Sequence, residues 1–552
     1  MLGRKKAYPW EKHYPEGVSW DADIKARPVA TLMDDAAENF AEVTAIDFFG
    51  KTYTYEEIGK QVNAAAKGLQ NIGVNKGTRV ALLLPNCPQF VISYFAILKI
   101  GGVVVNCNPL YTINELKAQI NDADPKVLIT LNLAKLYEKA DKLLQSTMIE
   151  KLVVSEFTSC LPTFKRWMFN VFKINELAMV SYGMVKVSFE QLLATTSMPR
   201  VPEIDPKEDL AVLQYTGGTT GVPKGAMLTH QNVYANAVQC GMWFTGLEDG
   251  KETMMGVLPL FHVFAMTVIM NLSVHKGCKM ILHPRLDIKK LIADIVKKKP
   301  TLMPGVPTLF SAICQYPRIS SYNLSSIKMC ISGGAPLPSD IRSSFEELTG
   351  CSLIEGYGLT ESSPVASANP LFGDVKEGSI GLPLPQTVIE IRNTEGRRGQ
   401  VSKGDVGEIC IKGPQVMKGY YNSPEHTKKV LQSGRLHTGD MGYMDEDGYV
   451  FVVDRLKELI ITSGFNVYPS EIEEEIYKHP AVKEAAVKGI DDDHKGQVVK
   501  AFVALNTGQT LNEKELIDFL RSKMAKYKLP SQVEFRDELP KTLIGKISKK
   551  DL

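Results

Sequence analysis

Two kinds of hydrophobic pattern follow each other along the chain. Over residues 52–358, amphipathic stretches with a helical period alternate with short apolar runs, as where YEEIGKQVNAAAKGLQNIGV precedes TRVALLLP. This alternation predicts helices packed on parallel β-sheets, with ligands at the carboxyl ends of the strands. After about Gly378 the pattern changes to short alternating strands between Gly and Asp turns, such as GEICIKG and GYVFVVD, which predicts a small β-barrel or sandwich.

A compact α+β unit is predicted at the end of the chain. It begins with FNVYPSEIEEEIYKHP, where Ser470 and Glu473 are spaced as a capping box and Ile472 and Ile476 lie one turn apart on the buried side. A second helix is expected over about residues 512–523.

These patterns predict two domains. The N-terminal domain would span residues 1–454, with its β-rich part at about 378–454, and the C-terminal α+β domain would span residues 455–552.

Composition excludes several classes of protein. Apolar residues make up 44% of the 552 positions, and 64 basic against 62 acidic side chains give a net charge of +2. A nucleic-acid-binding domain would be strongly basic, so we expect no nucleic-acid partner. The nine cysteines form no CxxC pair, which indicates reduced thiols in the cytoplasm rather than disulfides or a zinc site.

No secretory signal is visible at the N-terminus, where the basic residues of MLGRKKAYPWEKHYPEGV precede no apolar segment. One interior run, MMGVLPLFHVFAMTVIMNL at residues 254–272, is long enough to cross a bilayer. Because Pro259 and His262 interrupt it, we predict a buried strand, turn and helix instead.

The stretch YTGGTTGVPKG at residues 215–225 concentrates glycine and threonine after an apolar run. Its backbone N–H groups and hydroxyls suit a phosphate, although it matches neither the Walker A pattern nor GxGxxG. The alternative is an ordinary glycine-rich turn between the strand AVLQY and a helix that begins near Gln231.

Six further motifs follow this loop toward the C-terminus. They are PLFHVF at 259–264, SGGAPL at 332–337, EGYGLTES at 355–362, HTGD at 437–440, DRLKELI at 454–460 and PKTLIGK at 540–546.

In this order the seven motifs resemble the signature of the adenylate-forming enzymes, which include acyl-CoA synthetases, luciferases and peptide-synthetase adenylation domains. The chain is most similar to bacterial long-chain-fatty-acid–CoA ligases, through GPQVMKGYY, VEFRDELPKTLIGK and the region from SGRLHTGD to YPSEIEE. The resemblance implies a large domain of two α/β subdomains and a small β-barrel-like subdomain, followed by a small mobile α+β domain.

The implied reaction has two steps. ATP and a fatty acid give acyl-AMP and pyrophosphate, and coenzyme A then displaces AMP to form the thioester. Mg²⁺ would accompany ATP. The alternatives are a CoA ligase for aryl or other acids, a luciferase-like oxidase, and a lipid-binding pseudoenzyme.

The resemblance also implies a nucleotide site. Glu361, aided by Thr216, would bind Mg²⁺, and Asp440 would accept hydrogen bonds from both ribose hydroxyls. Alternatively, Glu361 caps a helix that starts near Thr360. The expected nucleotide-binding residues are Thr216, Gly217, Gly218, Thr219, Thr220, Gly221, Lys224, Gly333, Gly334, Ala335, Pro336, Glu355, Gly356, Tyr357, Gly358, Thr360, Asp440, Arg455 and Lys546.

Four of the predicted side chains are implied to act on the reacting groups. Lys224 would offset charge on the departing pyrophosphate, or else be an exposed turn lysine. His262 would guide the carboxylate, or else be a core histidine. Arg455 would assist near the ribose and phosphate. Lys546 would bridge carboxylate and α-phosphate when the small domain closes, whereas without its motif it would be a surface lysine.

Three residues would serve the second step. Lys457 lies at the hinge position, about which the small domain is thought to rotate, and Ser463 and Gly464 would then lie beside the CoA tunnel.

The acyl tunnel is less clearly marked. Its candidate lining, which could equally be plain core, is Val233, Ala237, Cys240, Met242 and Trp243.

A basic, aromatic segment at residues 161–187 predicts peripheral binding to the inner face of the cytoplasmic membrane, with a buried linker helix as the alternative. The sequence leaves a homodimer and a monomer open.

Overall fold

The computed structural model describes residues 7–216, 223–394, 399–462, 465–492, 496–541 and 547–552. Its strands form four sheets, two of them large. The strands are β1 (Thr44–Phe48), β2 (Lys51–Thr54), β3 (Arg79–Leu83), β4 (Val103–Asn106), β5 (Val127–Leu131), β6 (Lys151–Ser155), β7 (Lys186–Ser188), β8 (Leu210–Thr216), β9 (Lys224–Thr229), β10 (Thr253–Gly256), β11 (Lys279–Leu282), β12 (Leu302–Gly305), β13 (Met329–Ser332), β14 (Ser352–Gly358), β15 (Val365–Ala368), β16 (Leu382–Pro383), β17 (Val388–Arg392), β18 (Gly407–Lys412), β19 (Gly419–Tyr420), β20 (Leu431–Gln432), β21 (Arg435–Met444), β22 (Val450–Arg455), β23 (Ile460–Thr462), β24 (Phe465–Val467), β25 (Val482–Asp492), β26 (Gly496–Leu505) and β27 (Gln532–Phe535).

The α-helices pack mainly on the two large sheets. They are α1 (Thr31–Asn39), α2 (Tyr55–Asn71), α3 (Pro88–Lys99), α4 (Ile113–Ala123), α5 (Ala134–Ser146), α6 (Thr163–Phe172), α7 (Phe189–Leu193), α8 (His230–Trp243), α9 (Val263–Ala265), α10 (Leu272–Lys276), α11 (Ile288–Lys298), α12 (Pro307–Cys314), α13 (Ser339–Thr349), α14 (Pro424–Val430), α15 (Pro469–Tyr477) and α16 (Glu513–Arg521).

The first large sheet has the strand order β19-β9-β8-β4-β3-β5-β6-β7, and the second has the order β16-β15-β14-β13-β12-β10-β11-β1-β2. Strands from β8 through β7 are parallel, as are those from β14 through β1. Every residue of α3 is buried, as expected for a helix that is apolar on all sides. The predicted α/β architecture is confirmed.

The two smaller sheets follow the change of pattern after Gly378. Strands β17, β18, β21, β20 and β22 form an antiparallel sheet, and β24, β23, β26, β25 and β27 form the C-terminal sheet. The C-terminal sheet and its helices α15 and α16 share a separate apolar core that includes Ile472 and Ile476. The predicted β-rich and α+β parts are therefore confirmed.

The predicted capping box at the start of α15 is wrong. The helix begins at Pro469 after Tyr468, which makes no side-chain cap. Ser470 lies inside the helix, and its N–H and Oγ donate to Asp454 Oδ2 at 2.8 and 3.0 Å. Glu473 accepts the Val487 N–H at 2.6 Å. Both side chains bind distant partners, so the spacing alone misled.

Two further expectations concern apolar and sulfur-containing residues. The run 254–272 forms β10, a turn, α9 and a π-helical turn at Met266–Asn271, which confirms the buried strand, turn and helix. Within the described ranges no helix is long and apolar enough to span a bilayer. All nine cysteines are free thiols, and eight of them are buried.

Candidate active site

Three side chains of the predicted site meet at what we call the ribose corner: Asp440, Tyr357 and Arg455. Asp440 is buried on β21, directly across from Arg455 on β22. Tyr357 donates its phenol proton to Asp440 Oδ2 at 2.6 Å, and Arg455 Nε lies 3.0 Å from Oδ1. Both carboxylate oxygens are therefore held in place by partners on other strands.

The surroundings of the ribose corner keep Tyr357 and Arg455 protonated. Burial, followed by the Asp440 charge, raises the pKa of Tyr357 well above its usual value, so the phenol remains a donor. Burial alone would lower the pKa of Arg455, but the charges of Asp440, Glu458 and Glu361 together with Tyr357 outweigh burial, and the pKa is raised.

The turn that presents Asp440 is fixed by Glu408, which sequence reasoning missed. Glu408 Oε1 accepts the Gly439 N–H at 3.0 Å, and Oε2 lies 2.7 Å from His437 Nδ1. Gly439 has φ +72°, a conformation that suits glycine. Thr438 Oγ1 accepts the Asp440 N–H at 3.0 Å. In the sequence, Glu408 stood only in the predicted strand GEICIKG, and no pattern indicated that this strand pairs with the strand that carries HTGD.

Glu408, Cys410 and His437 are also candidate metal ligands, because their ligand atoms lie within 4.8 Å of one another. Cys410 Sγ lies 3.4 Å from the same Nδ1 that Glu408 contacts. Burial raises the pKa of the Cys410 thiol to about 12, so the thiol is neutral at physiological pH. We assign this cluster a structural role beneath the HTGD turn.

The adenine wall predicted around SGGAPL lies at the carboxyl ends of β13 and β14, where Ser332 pairs with Glu355. Leu337 donates its N–H to Glu355 Oε1 at 3.0 Å, which joins this motif to EGYGLTES. A Cβ added to Gly358 would lie 1.9 Å from the Pro364 carbonyl oxygen, so only glycine fits there. The two motifs therefore form one surface.

The buried carboxyl of Glu355 is unusual for this surface. Burial raises its pKa to about 7, although the Leu337 N–H and the charge of Arg342 act in the opposite direction. Glu355 thus changes protonation near neutral pH.

The glycine-rich loop connects two antiparallel strands, because Thr216 at the end of β8 pairs with Lys224 at the start of β9. The helix expected near Gln231 is confirmed, since α8 starts at His230, but the unpredicted strand β9 lies between the loop and this helix. β9 was missed because its sequence, KGAMLT, is short and contains glycine. The predicted residues Gly217, Gly218, Thr219, Thr220 and Gly221 lie outside the described residues.

Two further lysines and one carboxylate act on the charge of Lys224. We call this group of four side chains the phosphate corner: Lys224, Glu361, Lys429 and Lys457. Burial, then the charges of Lys457 and Lys429, lower the pKa of Lys224, while Glu361 acts to raise it. Lys224 also lies over the Tyr420 ring, at 5.8 Å from its centroid. The corner has the charge that a triphosphate would complement.

Glu361 lies in the 3-10 helix Thr360–Ser362, which packs against β8 and β9. Its Oε1 accepts the Tyr420 hydroxyl at 2.5 Å, so the carboxylate does not serve as a helix cap. Burial and the Glu361 charge raise the pKa of Tyr420, which keeps it a donor. Tyr420 was not predicted, although it lies in GPQVMKGYY.

His262 lies half-buried just before α9, on the loop that follows β10. Its Nδ1 accepts the Phe264 N–H at 3.3 Å, so the neutral ring carries its proton on Nε2. Burial lowers the pKa of His262 to about 4, which makes the ring neutral at physiological pH. Such a ring can donate a hydrogen bond without carrying charge.

The structure describes most, but not all, of the predicted site residues. Gly333, whose added Cβ would lie 3.2 Å from Phe264 Cζ, joins the SGGAPL motif to the PLFHVF motif. Lys457 is exposed in a turn between β22 and β23. The predicted Ser463, Gly464 and Lys546 lie outside the described residues.

The two segments predicted to contact the fatty acid or the membrane differ in burial. Val233, Ala237, Cys240 and Trp243 are fully buried on α8, with Met242 partly so. By contrast, the alternative of a buried linker helix is wrong for α6, none of whose residues is buried. Phe164, Trp167 and Phe172 are 69%, 58% and 72% exposed.

Comparison with known proteins covers nearly the whole chain. The sequence profile of the AMP-binding enzyme family matches residues 33–421, and that of the AMP-binding enzyme C-terminal domain matches residues 471–546. A long-chain-fatty-acid–CoA ligase from Bacillus subtilis is 44% identical over 99% of this chain and 97% of its own length. Another from Escherichia coli O157:H7 is 38% identical over 98% and 97%.

Solved structures agree on the architecture. ATP-bound MatB from Rhodopseudomonas palustris is 30% identical, with a TM-score of 0.83 over 95% of this chain and 98% of its own. The anthranilate CoA ligase AuaEII in complex with anthranoyl-AMP is 26% identical, with a TM-score of 0.82 over 97% and 98%.

Proposed function

The chain belongs to the AMP-binding enzyme family, and we propose that it activates long-chain fatty acids to their CoA thioesters. It is an AMP-forming ligase: ATP and the acid give acyl-AMP and pyrophosphate, and CoA then displaces AMP. The observation that carries the substrate is the 44% identity, along 99% of the chain, to a long-chain-fatty-acid–CoA ligase.

We propose that the ribose corner binds the nucleoside. The buried Asp440 carboxylate would accept both ribose hydroxyls while Tyr357 and Arg455 hold its orientation. The glycine-containing surface formed by β13 and β14 would receive the adenine. Since the Asp440 carboxylate is held in place before ATP arrives, little reorganisation would be needed.

We propose that the phosphate corner binds the triphosphate together with residues 216–221, and that Lys224 offsets charge on the departing pyrophosphate. Glu361 fits a Mg²⁺ ligand, aided by Thr216, because the Tyr420 hydrogen bond on Oε1 orients the carboxylate and does not use Oε2. When bound, the ion would supply further positive charge to the phosphates.

We propose that His262 donates Nε2–H to the fatty-acid carboxylate or an α-phosphate oxygen. The neutral ring supports this role, since a cation is not needed to orient an anion beside Lys546. Lys546 would bridge the two reacting groups, and its removal by rotation about Lys457 would admit CoA beside Ser463 and Gly464. This assigns residues 1–454 and 455–552 to two domains that move relative to each other.

The test is a product analysis with purified enzyme, Mg²⁺-ATP and CoA. Palmitate should yield palmitoyl-CoA and equimolar AMP. If 4-coumarate is converted to its CoA thioester and palmitate is not, the protein is an aryl-acid ligase instead. Release of ADP would contradict the whole proposal.

We also propose that α6 docks on an anionic bilayer, from which the substrate is collected. Its exposed Phe164, Trp167 and Phe172 form an apolar face, and Lys165 and Lys173 lie next to them in the sequence. A basic, aromatic face of this kind suits the boundary between headgroups and acyl chains.

The docking test uses sedimentation with vesicles that contain anionic lipid. Replacing Phe164, Trp167 and Phe172 by Ser should abolish cosedimentation. The control replaces three exposed apolar residues elsewhere, Leu110, Val201 and Leu286, by Ser and should sediment like the parent. Equal binding of all three proteins would contradict docking through α6.

A further inference from the structure

The loop that carries His262 is held by a side chain from the other large sheet. Asn86, which is 2% exposed, follows β3 in the first sheet, whereas residues 257–262 follow β10 in the second. Its Nδ2 donates to the carbonyl oxygens of Gly256 at 3.2 Å and Leu258 at 2.8 Å. Its Oδ1 accepts the Leu260 N–H at 2.7 Å. One amide thus uses both donor hydrogens and its acceptor on the last residue of β10 and the loop that follows it.

A second amide holds the same loop one residue before His262. Gln214 Nε2 donates to the Phe261 carbonyl oxygen at 3.0 Å, and its Oε1 accepts a hydrogen bond from Asn106 Nδ2 at 2.9 Å. Gln214 lies on β8, two residues before Thr216. The strand that leads into the glycine-rich loop is therefore tied directly to the loop that carries His262.

These bonds have a geometric consequence. Buried loop backbone needs hydrogen-bond partners, and here the partners come from the sheet that also carries Lys224, on β9. Two neutral amides therefore link the loop that carries His262 to the sheet that carries Lys224. A shift of about 1 Å between reacting groups can cost about 100-fold in rate.

We propose that Asn86 and Gln214 are positioning residues for the adenylation step, because they fix His262 relative to the phosphate corner. This inference rests on the proposed function. Neither side chain is expected to touch substrate, and each would act through the loop at residues 257–262.

The first test compares substitutions that preserve shape. Asn86→Asp replaces the amide donor by an oxygen that faces two carbonyl oxygens, and Gln214→Glu does the same opposite Phe261. We expect kcat for palmitate-dependent pyrophosphate exchange to fall about 10- to 100-fold, with KM for ATP within about threefold of the parent. The control is Asn132→Ala, another buried asparagine, which accepts the Phe157 N–H at 2.8 Å away from this loop.

The second test is a double-mutant cycle with His262→Ala. If Asn86 acts through His262, Asn86→Ala should lower kcat by less than about threefold once His262 is already absent. Additive losses would show a purely structural role and overturn the inference. Thermal unfolding of each variant separates loss of folded protein from loss of rate.

A readout that needs no turnover separates this inference from the proposed function. The imidazole NMR signals of His262, assigned by comparison with His262→Gln, should move in Asn86→Ala and stay in place in Asn132→Ala. Unmoved signals would overturn the positioning role. An inactive parent enzyme would contradict only the proposed function, and the NMR comparison would still decide the inference.

Discussion

The ribose corner and the phosphate corner differ in their balance of charge. In the ribose corner Asp440 is neutralised within the protein by Arg455 and is hydrogen-bonded by Tyr357. In the phosphate corner burial, followed by the positive charges of Lys457 and Lys429, lowers the pKa of Lys224, with Glu361 as the opposing charge. One corner is complete in itself, and the other has an excess of positive charge.

This difference separates recognition from chemistry. A pre-paired carboxylate can exchange bonds with neutral ribose hydroxyls without a large change in charge. An excess of lysine is stabilised only when an anion arrives, and it acts most strongly where negative charge develops during the reaction. We therefore expect changes in the ribose corner to affect ATP affinity, and loss of Lys224 from the phosphate corner to affect the rate of adenylation.

The largest effect is expected from Lys224→Met, which keeps the apolar stem and removes the charge. Palmitate-dependent pyrophosphate exchange should fall by about 100- to 1,000-fold in kcat, as for loss of a group that stabilises a transition state. Lys429→Met removes an exposed charge from the same corner and should change kcat by less than about threefold. Equal losses would mean that only the summed charge matters.

Next in size is Asp440→Asn, which removes the carboxylate that Arg455 and Tyr357 hold. The KM for ATP should rise about 10- to 100-fold, since hydrogen bonds to a charged group are worth about 1.5–3 kcal/mol. Tyr357→Phe removes only one of the supporting bonds and should raise KM about fivefold. An unchanged KM in Asp440→Asn would place the ribose elsewhere.

A smaller effect is expected where the phosphate corner meets the predicted hinge. Lys457→Pro fixes φ in the turn between β22 and β23, and should slow conversion of palmitoyl-AMP to palmitoyl-CoA about tenfold more than it slows adenylation. Lys457→Ala removes the same charge but leaves the backbone free, so it should spare the second step. Equal slowing of both steps by the proline variant would contradict a hinge at Lys457.

The smallest change concerns Glu355 and pH. Its pKa of about 7 in the folded protein, above the usual 4.5, means that the folded state holds this proton more tightly than the unfolded state. Stability should therefore fall as pH rises from about 4.5 to 7, by up to about 3 kcal/mol, and level off above.

Glu355→Gln replaces the titrating carboxyl group, which causes this pH dependence, by a neutral amide. The melting temperature of the variant should exceed that of the parent increasingly over the same pH window. A difference in melting temperature between variant and parent that stays constant across this pH window would show that Glu355 does not titrate there.

Sequence predicted the parts of the site that depend on local pattern. The alternating periods predicted helices packed on parallel β-sheets, and the motifs, through the family resemblance, placed Asp440 and Arg455 in one site. Contacts distant in sequence were not predictable: Glu408 supports Gly439, and Tyr420 orients Glu361, 59 residues away. No local period reports such pairs.

Local pattern also misled in two places. Ser470 fits a capping box by spacing, yet tertiary contacts with Asp454 place it inside the helix. The strand β9 escaped prediction because the glycine-rich loop beside it dominates the local composition, and only its pairing with β8 reveals it. In both cases a long-range partner overrides a local rule.

The central claim is that this chain makes acyl-AMP and that Lys546 serves only that first step. The most direct measurement compares the parent with Lys546→Ala in the two half-reactions, using palmitate-dependent pyrophosphate exchange and conversion of preformed palmitoyl-AMP with CoA. We predict that the variant loses exchange by at least about 100-fold and retains thioester formation. Exchange at the parent rate in the variant, or no exchange in the parent, would contradict the account.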